Sequence, residues 1–294
     1  MSVIHIENLT KRFGKFTALD KVNLSLQQGE VLGFIGPNGA GKTTTIRVLM
    51  GIIQATSGTA SIFGQDVWQD AVKIHKNIAY VPGDVNLWPN LTGGEVIDLF
   101  VRLRKGNQKK YRKELLERFD LDPTKKCRTY SKGNRQKVAL VATFASDADL
   151  YILDEPTSGF DPLMERVFQE CVMEVKQQGK SVLLSSHILS EVEKLCDKVS
   201  IIRQGKIIET GSLIELRHLT RTEITVKTVR PLEGLQGNPN IHDLRQSPLG
   251  ISFSVDTEVL DKVMADISQH GIVSLACMPP TLEQLFMSHY AERG

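Results

Sequence analysis

Residues 31–43 read VLGFIGPNGAGKT, an apolar run that breaks into a glycine-rich turn. The period of the sequence changes there. VLGFI is continuously apolar, as in a buried strand, whereas TTTIRVLMGII sets Ile46, Leu49, Met50 and Ile53 at helical spacing. Strand, tight turn and helix in direct succession predict one unit of an α/β sheet. In that context GPNGAGKT at 36–43 fits G-x-x-x-x-G-K-[ST]. Glycines let successive backbone N–H groups turn inward around a phosphate, and the helix N-terminus adds the positive end of its dipole. Gly36, Pro37, Asn38, Gly39, Ala40, Gly41, Lys42, Thr43 and Thr44 are therefore the candidate phosphate-binding residues. Lys42 can reach the β/γ-phosphates of a nucleotide, and the Thr43 hydroxyl can ligate Mg²⁺.

The rest of the pattern fits an α/β protein. IHIENL, TALDKVNLSL and SGTASIFG suggest strands, and residues from about 95 to 145 are mostly helical, including EVIDLFVRLR and RKELLERFDL. LYIL (150–153) and SVLL (181–184) suit fully buried parallel strands, and VSIIRQGKIIET suits a hairpin turning at Gln204-Gly205. After a break at HLTRT (218–222), EITVKTV and ISFSV alternate. TEVLDKVMADISQ is helical, IVSLACM a strand and TLEQLFMSHY a last helix. The predicted division is a phosphate-loop α/β domain at 1–218, with a helical insertion at about 95–145, and a small α+β domain at 219–294.

Composition narrows the class. Hydrophobic content of 41% and charged content of 24% are those of an ordinary globular protein. Cys127, Cys171, Cys196 and Cys277 form no C-x-x-C pair and read as reduced packing residues. The N-terminus MSVIHIENLTKRFG has no apolar signal region, and no apolar run approaches the roughly 18 residues of a membrane helix. A cytoplasmic protein is expected, reaching a membrane only through something else. From Arg102 to Lys137 there are 14 Lys/Arg against 4 Asp/Glu. Without interleaved aromatic residues this stretch reads as a solvated helical face rather than a nucleic-acid surface.

LYILDEP ends an apolar strand with two carboxylates, Asp154 and Glu155. Burying a carboxylate is costly unless it is paired or metal-bound, and neighbours on a strand point opposite ways. The two are expected to differ in role, Asp154 holding Mg²⁺ and Glu155 orienting and deprotonating an attacking water.

GPNGAGKT followed by LYILDEP resembles the ATP-binding subunits of ABC transporters. That family carries a motif written LSGGQ at the start of a helix shortly before the second carboxylate motif. Two stretches compete for it. LTGGE at 91–95 lies about 60 residues before Asp154, whereas YSKGNRQKVAL places Ser131 just 23 residues before it, on a helix leading into the strand. Position decides for YSKGN, in which Ser131 and Gly133 match while Tyr130, Lys132 and Asn134 depart. LTGGE is then a capping box, with Thr92 three residues before Glu95.

The resemblance extends to SGFD (158–161), where Asp161 matches a residue that reaches across a dimer interface, and to SSH (185–187), where His187 matches a switch histidine at the γ-phosphate. Phe13 matches the aromatic that stacks on adenine; taken alone it would be a core residue. Gly83 stands where the family places a glutamine. Either Asp84 or Asn86 substitutes for it, or coupling to the membrane partner is altered.

The resemblance implies an ABC ATPase core with an antiparallel β subdomain and a helical subdomain, binding ATP and Mg²⁺. It also implies a head-to-tail dimer with a second copy, each ATP lying between Lys42 of one and Ser131 of the other. The expected function is to power a separate transmembrane permease at the cytoplasmic face of the membrane, with no nucleic acid as partner. The tail loosely resembles the antibiotic- and multidrug-export branch. An importer subunit, and a non-transport ATPase acting on ribosomes or DNA, are the alternatives.

Overall fold

The computed structural model describes residues 2–103, 109–218, 221–232, 235, 237–247 and 250–278. The chain divides into two compact units, Met1–Thr210 and Gly211–Gly294. In the first, the strands and α-helices run β1 (Ser2–Phe13), β2 (Phe16–Gln27), β3 (Val31–Ile35), α1 (Lys42–Leu49), β4 (Ser57–Ile62), β5 (Gln65–Asp66), α2 (Ala71–Ile74) and β6 (Ile78–Val81). Then come α3 (Gly93–Leu103), α4 (Lys109–Arg118), α5 (Lys132–Phe144), β7 (Leu150–Asp154), α6 (Pro162–Gln177), β8 (Ser181–Ser186), α7 (Leu189–Leu195), β9 (Lys198–Arg203) and β10 (Lys206–Ser212).

A six-stranded sheet in the order β10-β9-β3-β8-β7-β6 forms the centre, with β9, β3, β8, β7 and β6 parallel. Every residue of β3, β7 and β8 is buried, because helices and a second sheet cover both faces. That second sheet has the order β2-β1-β4-β5 and is antiparallel. Its Ile4, Ile6, Leu9, Leu24 and Ile62 share one core with Leu32, Phe34, Ile152 and Leu183 of the parallel sheet and with Ile46 and Leu49 of α1. The helix that follows the glycine-rich turn is thus held by both sheets.

Local signals take the conformations their chemistry requires. At the β9–β10 turn, Gln204 (φ 49°) and Gly205 (φ 75°) are both left-handed, as a two-residue type I′ hairpin demands. At LTGGE, the Thr92 Oγ1 accepts from the Glu95 N–H at 3.2 Å, and the Glu95 Oε2 accepts from the Thr92 N–H at 2.6 Å. This reciprocal pair is the predicted capping box, and it opens α3.

The second unit contains α8 (Leu213–His218), β11 (Thr222–Thr228), β12 (Ile241–Ser247), β13 (Gly250–Val255), α9 (Leu260–Gln269) and β14 (Ile272–Met278). Its antiparallel sheet has the order β12-β13-β11-β14. Ile224, Val226, Phe253 and Val255 of the two central strands meet Val263 and Ile267 of α9 in a small core. Strand β12 was not predicted, because IHDLRQS lacks apolar alternation. The expected helix TLEQLFMSHY (281–290) lies outside the described residues, as do residues 219–220 of the HLTRT break.

Three of the cysteines are buried as expected, but Cys277 is exposed. It lies on β14, an outer strand exposed along its whole length, so it is not a packing residue.

Gly33 shows how closely the layers approach. A Cβ built there would lie 2.6 Å from Val192 Cγ1 and 3.0 Å from Cys196 Sγ, so α7 can rest on β3 only because position 33 has no side chain. Gly33→Ala should destabilise the protein by about 1–3 kcal/mol through overpacking, measured by urea unfolding. Unchanged stability would contradict this packing.

Candidate nucleotide-binding site

Strand β3 ends at Ile35 and α1 begins at Lys42, and the loop between them is shaped by its glycines. A Cβ on Gly36 would lie 2.3 Å from the Ile202 carbonyl oxygen of the neighbouring strand, which leaves no room for a side chain. Gly41, at φ 116°, ends the loop in a conformation L side chains rarely adopt. The first turn of α1 has neither a side-chain cap nor an acidic residue. Its backbone N–H groups and dipole are therefore available to an anion. Pro37, Asn38, Gly39, Ala40, Gly41, Lys42, Thr43 and Thr44 line a cavity of about 130 Å³ together with Glu155.

Lys42 is only 4% exposed. Its Nζ donates to the Gly36 carbonyl at 2.6 Å and the Pro37 carbonyl at 3.3 Å, and lies 3.3 Å from Glu155 Oε1.

The two carboxylates at the end of β7 have separate environments, for a reason the sequence did not show. The strand ends at Asp154, and Glu155 takes a left-handed backbone conformation (φ 47°). The separation therefore comes from the chain turning out of the sheet, not from strand alternation. Asp154 is 1% exposed; its Oδ1 accepts from the Ser185 hydroxyl at 2.5 Å, while its Oδ2 is buried with no hydrogen-bond partner. Burial raises the Asp154 carboxyl above its ordinary range, opposed in part by the Ser185 and Thr43 hydroxyls and by Lys42. Glu155 faces Lys42 on one side, and its Oε2 lies 3.5 Å from the Nδ1 of half-exposed His187. The structure thus brings the loop, Asp154, Glu155 and His187 together.

Gly83, at the position of the missing glutamine, backs onto Asp154. A Cβ there would be 3.4 Å from the Asp154 carbonyl oxygen and 3.7 Å from its carboxylate. Of the two suggested substitutes, Asn86 Nδ2 donates to Asp84 Oδ2 at 3.4 Å.

The signature stretch is a helix N-terminus, and Ser131 is its cap, accepting from the Asn134 N–H at 3.2 Å. Neither Ser131 nor Gly133 lines the cavity around Lys42. Lys132, which the sequence left unexplained, donates to the Ser158 hydroxyl at 2.9 Å, tying this turn to SGFD. Gly133 is packed against the same segment, since a Cβ there would lie 3.1 Å from the Gly159 carbonyl oxygen. Asp161 caps α6, accepting from the Met164 N–H at 2.9 Å. The two look-alike stretches also touch: a Cβ on Gly93 of LTGGE would meet the Tyr130 hydroxyl of YSKGN at 2.5 Å.

Phe13 is 50% exposed at the β1–β2 hairpin, with Lys11 Nζ 4.9 Å from its ring centroid, so it is not a core residue. Some residues of the basic stretch are paired with acids elsewhere in the fold. Arg112 meets Asp98 at 2.6 Å, Arg118 meets Glu174 at 2.8 Å, and Lys126 meets Glu95 at 3.9 Å.

Comparison with known proteins agrees with this geometry. A family model described as ABC transporter matches residues 19–158. The ABC transporter ATP-binding protein YhaQ of Bacillus subtilis is 31% identical over 293 residues, covering 97% of each chain. The linearmycin resistance ATP-binding protein LnrL of the same organism is 30% identical over 303 residues, again covering 97% of each. The probable multidrug ABC transporter ATP-binding protein YbhF of Escherichia coli is 34% identical over 223 residues, 74% of this chain and 38% of YbhF. Among solved structures, an ATP-binding subunit of an ABC transporter aligns with TM-score 0.69 and 31% identity, over 74% of this chain and 92% of that one. A dimeric bacterial ABC transporter cassette aligns with TM-score 0.66 at 24% identity, over 71% of this chain and 98% of the cassette, a likeness of fold. Strand, phosphate loop, paired carboxylates and full-length relatives together establish that this chain belongs to the ABC transporter ATP-binding proteins, the ATPases that power those transporters.

Proposed function

We propose that the chain drives an export-type ABC transporter as a homodimer bound to a separate permease. The observation that carries the shared-site part of this reading is that the Lys42 cavity is lined by residues 37–44 and Glu155 but not by Ser131 or Gly133. A capped helix start with free backbone donors, tied by Lys132 to SGFD, suits the phosphate of a nucleotide held by another copy. Phe13 stacks on adenine, Gly36–Thr44 cradle the phosphates, and Ser131, Gly133 and Asp161 act from the second copy. The export branch is supported by the resistance and multidrug names of LnrL and YbhF. No helix of the described residues is long and apolar enough to cross a membrane; attachment at the cytoplasmic face is assigned in this reading to the permease. The pairing of Arg112, Arg118 and Lys126 with acids of the same chain weighs against the nucleic-acid alternative.

The donor set fits a magnesium ion. Asp154 offers a buried, unpartnered carboxylate oxygen and Thr43 a hydroxyl on the same side of the cradle. When bound, the ion supplies positive charge to the phosphates. Glu155 orients the attacking water and takes its proton, His187 holds Glu155 and the γ-phosphate in register, and Lys42 balances the negative charge between them.

Asp154→Asn keeps an acceptor for Ser185 and removes the charge. Its melting temperature without nucleotide should equal or exceed that of the parent, because burial disfavours the ionised carboxylate. Magnesium-supported binding of a fluorescent ATP analogue should fall roughly 10–100-fold, the worth of about 1.5–3 kcal/mol for a charged contact. Unaltered magnesium dependence would remove Asp154 from the metal site. Glu155→Gln should bind ATP, lose about 10²–10⁴-fold in hydrolysis and accumulate as an ATP-bound dimer by light scattering. Rapid turnover, or a monomer at saturating ATP, would count against the reading.

A further inference from the structure

Helix α7 carries a carboxylate that the hydrolytic groups above do not use. Glu191 is 4% exposed, and its Oε2 accepts from the Ser186 hydroxyl at 2.8 Å. The same hydroxyl accepts from the Ile188 N–H at 3.0 Å. Ser186 and Ile188 are the chain neighbours of His187, so these two bonds fix the turn that carries it. Glu191 also faces the hydroxyl of buried Thr157, two residues beyond Glu155. Its Oε1 is buried with no hydrogen-bond partner. Burial raises the carboxyl above its ordinary range, more than the Ser186 and Thr157 hydroxyls lower it.

Such a group is expensive to keep. A buried carboxyl with one oxygen unsatisfied costs stability that an apolar side chain would not. What it provides is a bond from α7 to Ser186 at the end of β8, next to His187, on the side that faces Thr157 of the turn after Glu155. The placement of α7 is independently constrained by its close approach to Gly33, so Glu191 is presented from a fixed helix. His187, by contrast, is half exposed and relies on its neighbours for its position.

We propose that Glu191 is a positioning residue for ATP hydrolysis, holding the Ser186–Ile188 turn beside Thr157 so that His187 stays in register with Glu155. The proposal rests on the roles given above to Glu155 and His187. It assigns Glu191 no contact with the nucleotide.

The test uses the full chain labelled with ¹³C-histidine, in which His187→Ala identifies the His187 ring signal among the seven histidines. Glu191→Ala should shift that signal and lower kcat about 10–100-fold, the scale of a small misplacement, with KM for ATP changed less than about twofold. Glu191→Gln, whose amide oxygen can still accept from Ser186, should restore both. Ser186→Ala breaks the same link from the other side and should move the same signal, which keeps the proposal testable if Glu191→Ala does not fold. A His187 signal and kcat unmoved in folded Glu191→Ala, or an unmoved signal in Ser186→Ala, would overturn it. Full activity in His187→Ala would instead overturn the underlying role of His187.

Discussion

An apolar parallel strand that ends in a carboxylate has to dispose of that charge, and the way β7 does so organises the site around it. Asp154 stays inside, bonded to Ser185 through one oxygen and presenting the other without a protein partner. The chain then turns through a left-handed Glu155. That turn carries the second carboxylate out of the sheet and onto Lys42 and His187. One buried carboxyl and one partly exposed carboxyl, adjacent in sequence, thus have environments different enough for different chemistry. The phosphate loop answers them with a buried ammonium and an uncapped helix start.

The helical insertion follows a different logic. Its two similar glycine-containing stretches are physically coupled, one closing over the other where Tyr130 occupies the space beside Gly93. LTGGE spends its polar groups on its own capping box, whereas YSKGN opens a helix whose first turn is tied to SGFD through Lys132 and Ser158. Lysine in place of a signature glycine therefore joins two segments within one subunit. Gly83 lies directly beside Asp154, at distances where a Cβ would make ordinary contact with its carbonyl and carboxylate.

What was legible in the sequence was what local chemistry dictates. The change from apolar run to helical period located β3 and α1, Gln204-Gly205 specified its own turn, and Thr92 with Glu95 specified a helix start. Features set by tertiary contact were not legible. IHDLRQS forms a strand through pairing with β13 despite a polar pattern, and Cys277 is exposed because β14 lies at a sheet edge. Glu191 looked like an ordinary helical acid, and only its burial against Ser186 distinguishes it. The partner of Lys132 lies 26 residues away along the chain, beyond any local pattern.

The Lys42 cavity is lined by the phosphate loop and Glu155 but not by the signature serine, and in the proposed reading a second copy completes the site. Mixing two inactive variants tests this directly. In the proposed homodimer, Lys42→Ala and Ser131→Arg would each disable both sites. A mixed dimer places both defects in one site and leaves the other intact. Titrating one against the other should restore ATPase activity, peaking near equal amounts at about a quarter of the parent rate for random pairing and independent sites. Mixtures that form dimers but regain no activity at any ratio would contradict a site shared between two copies.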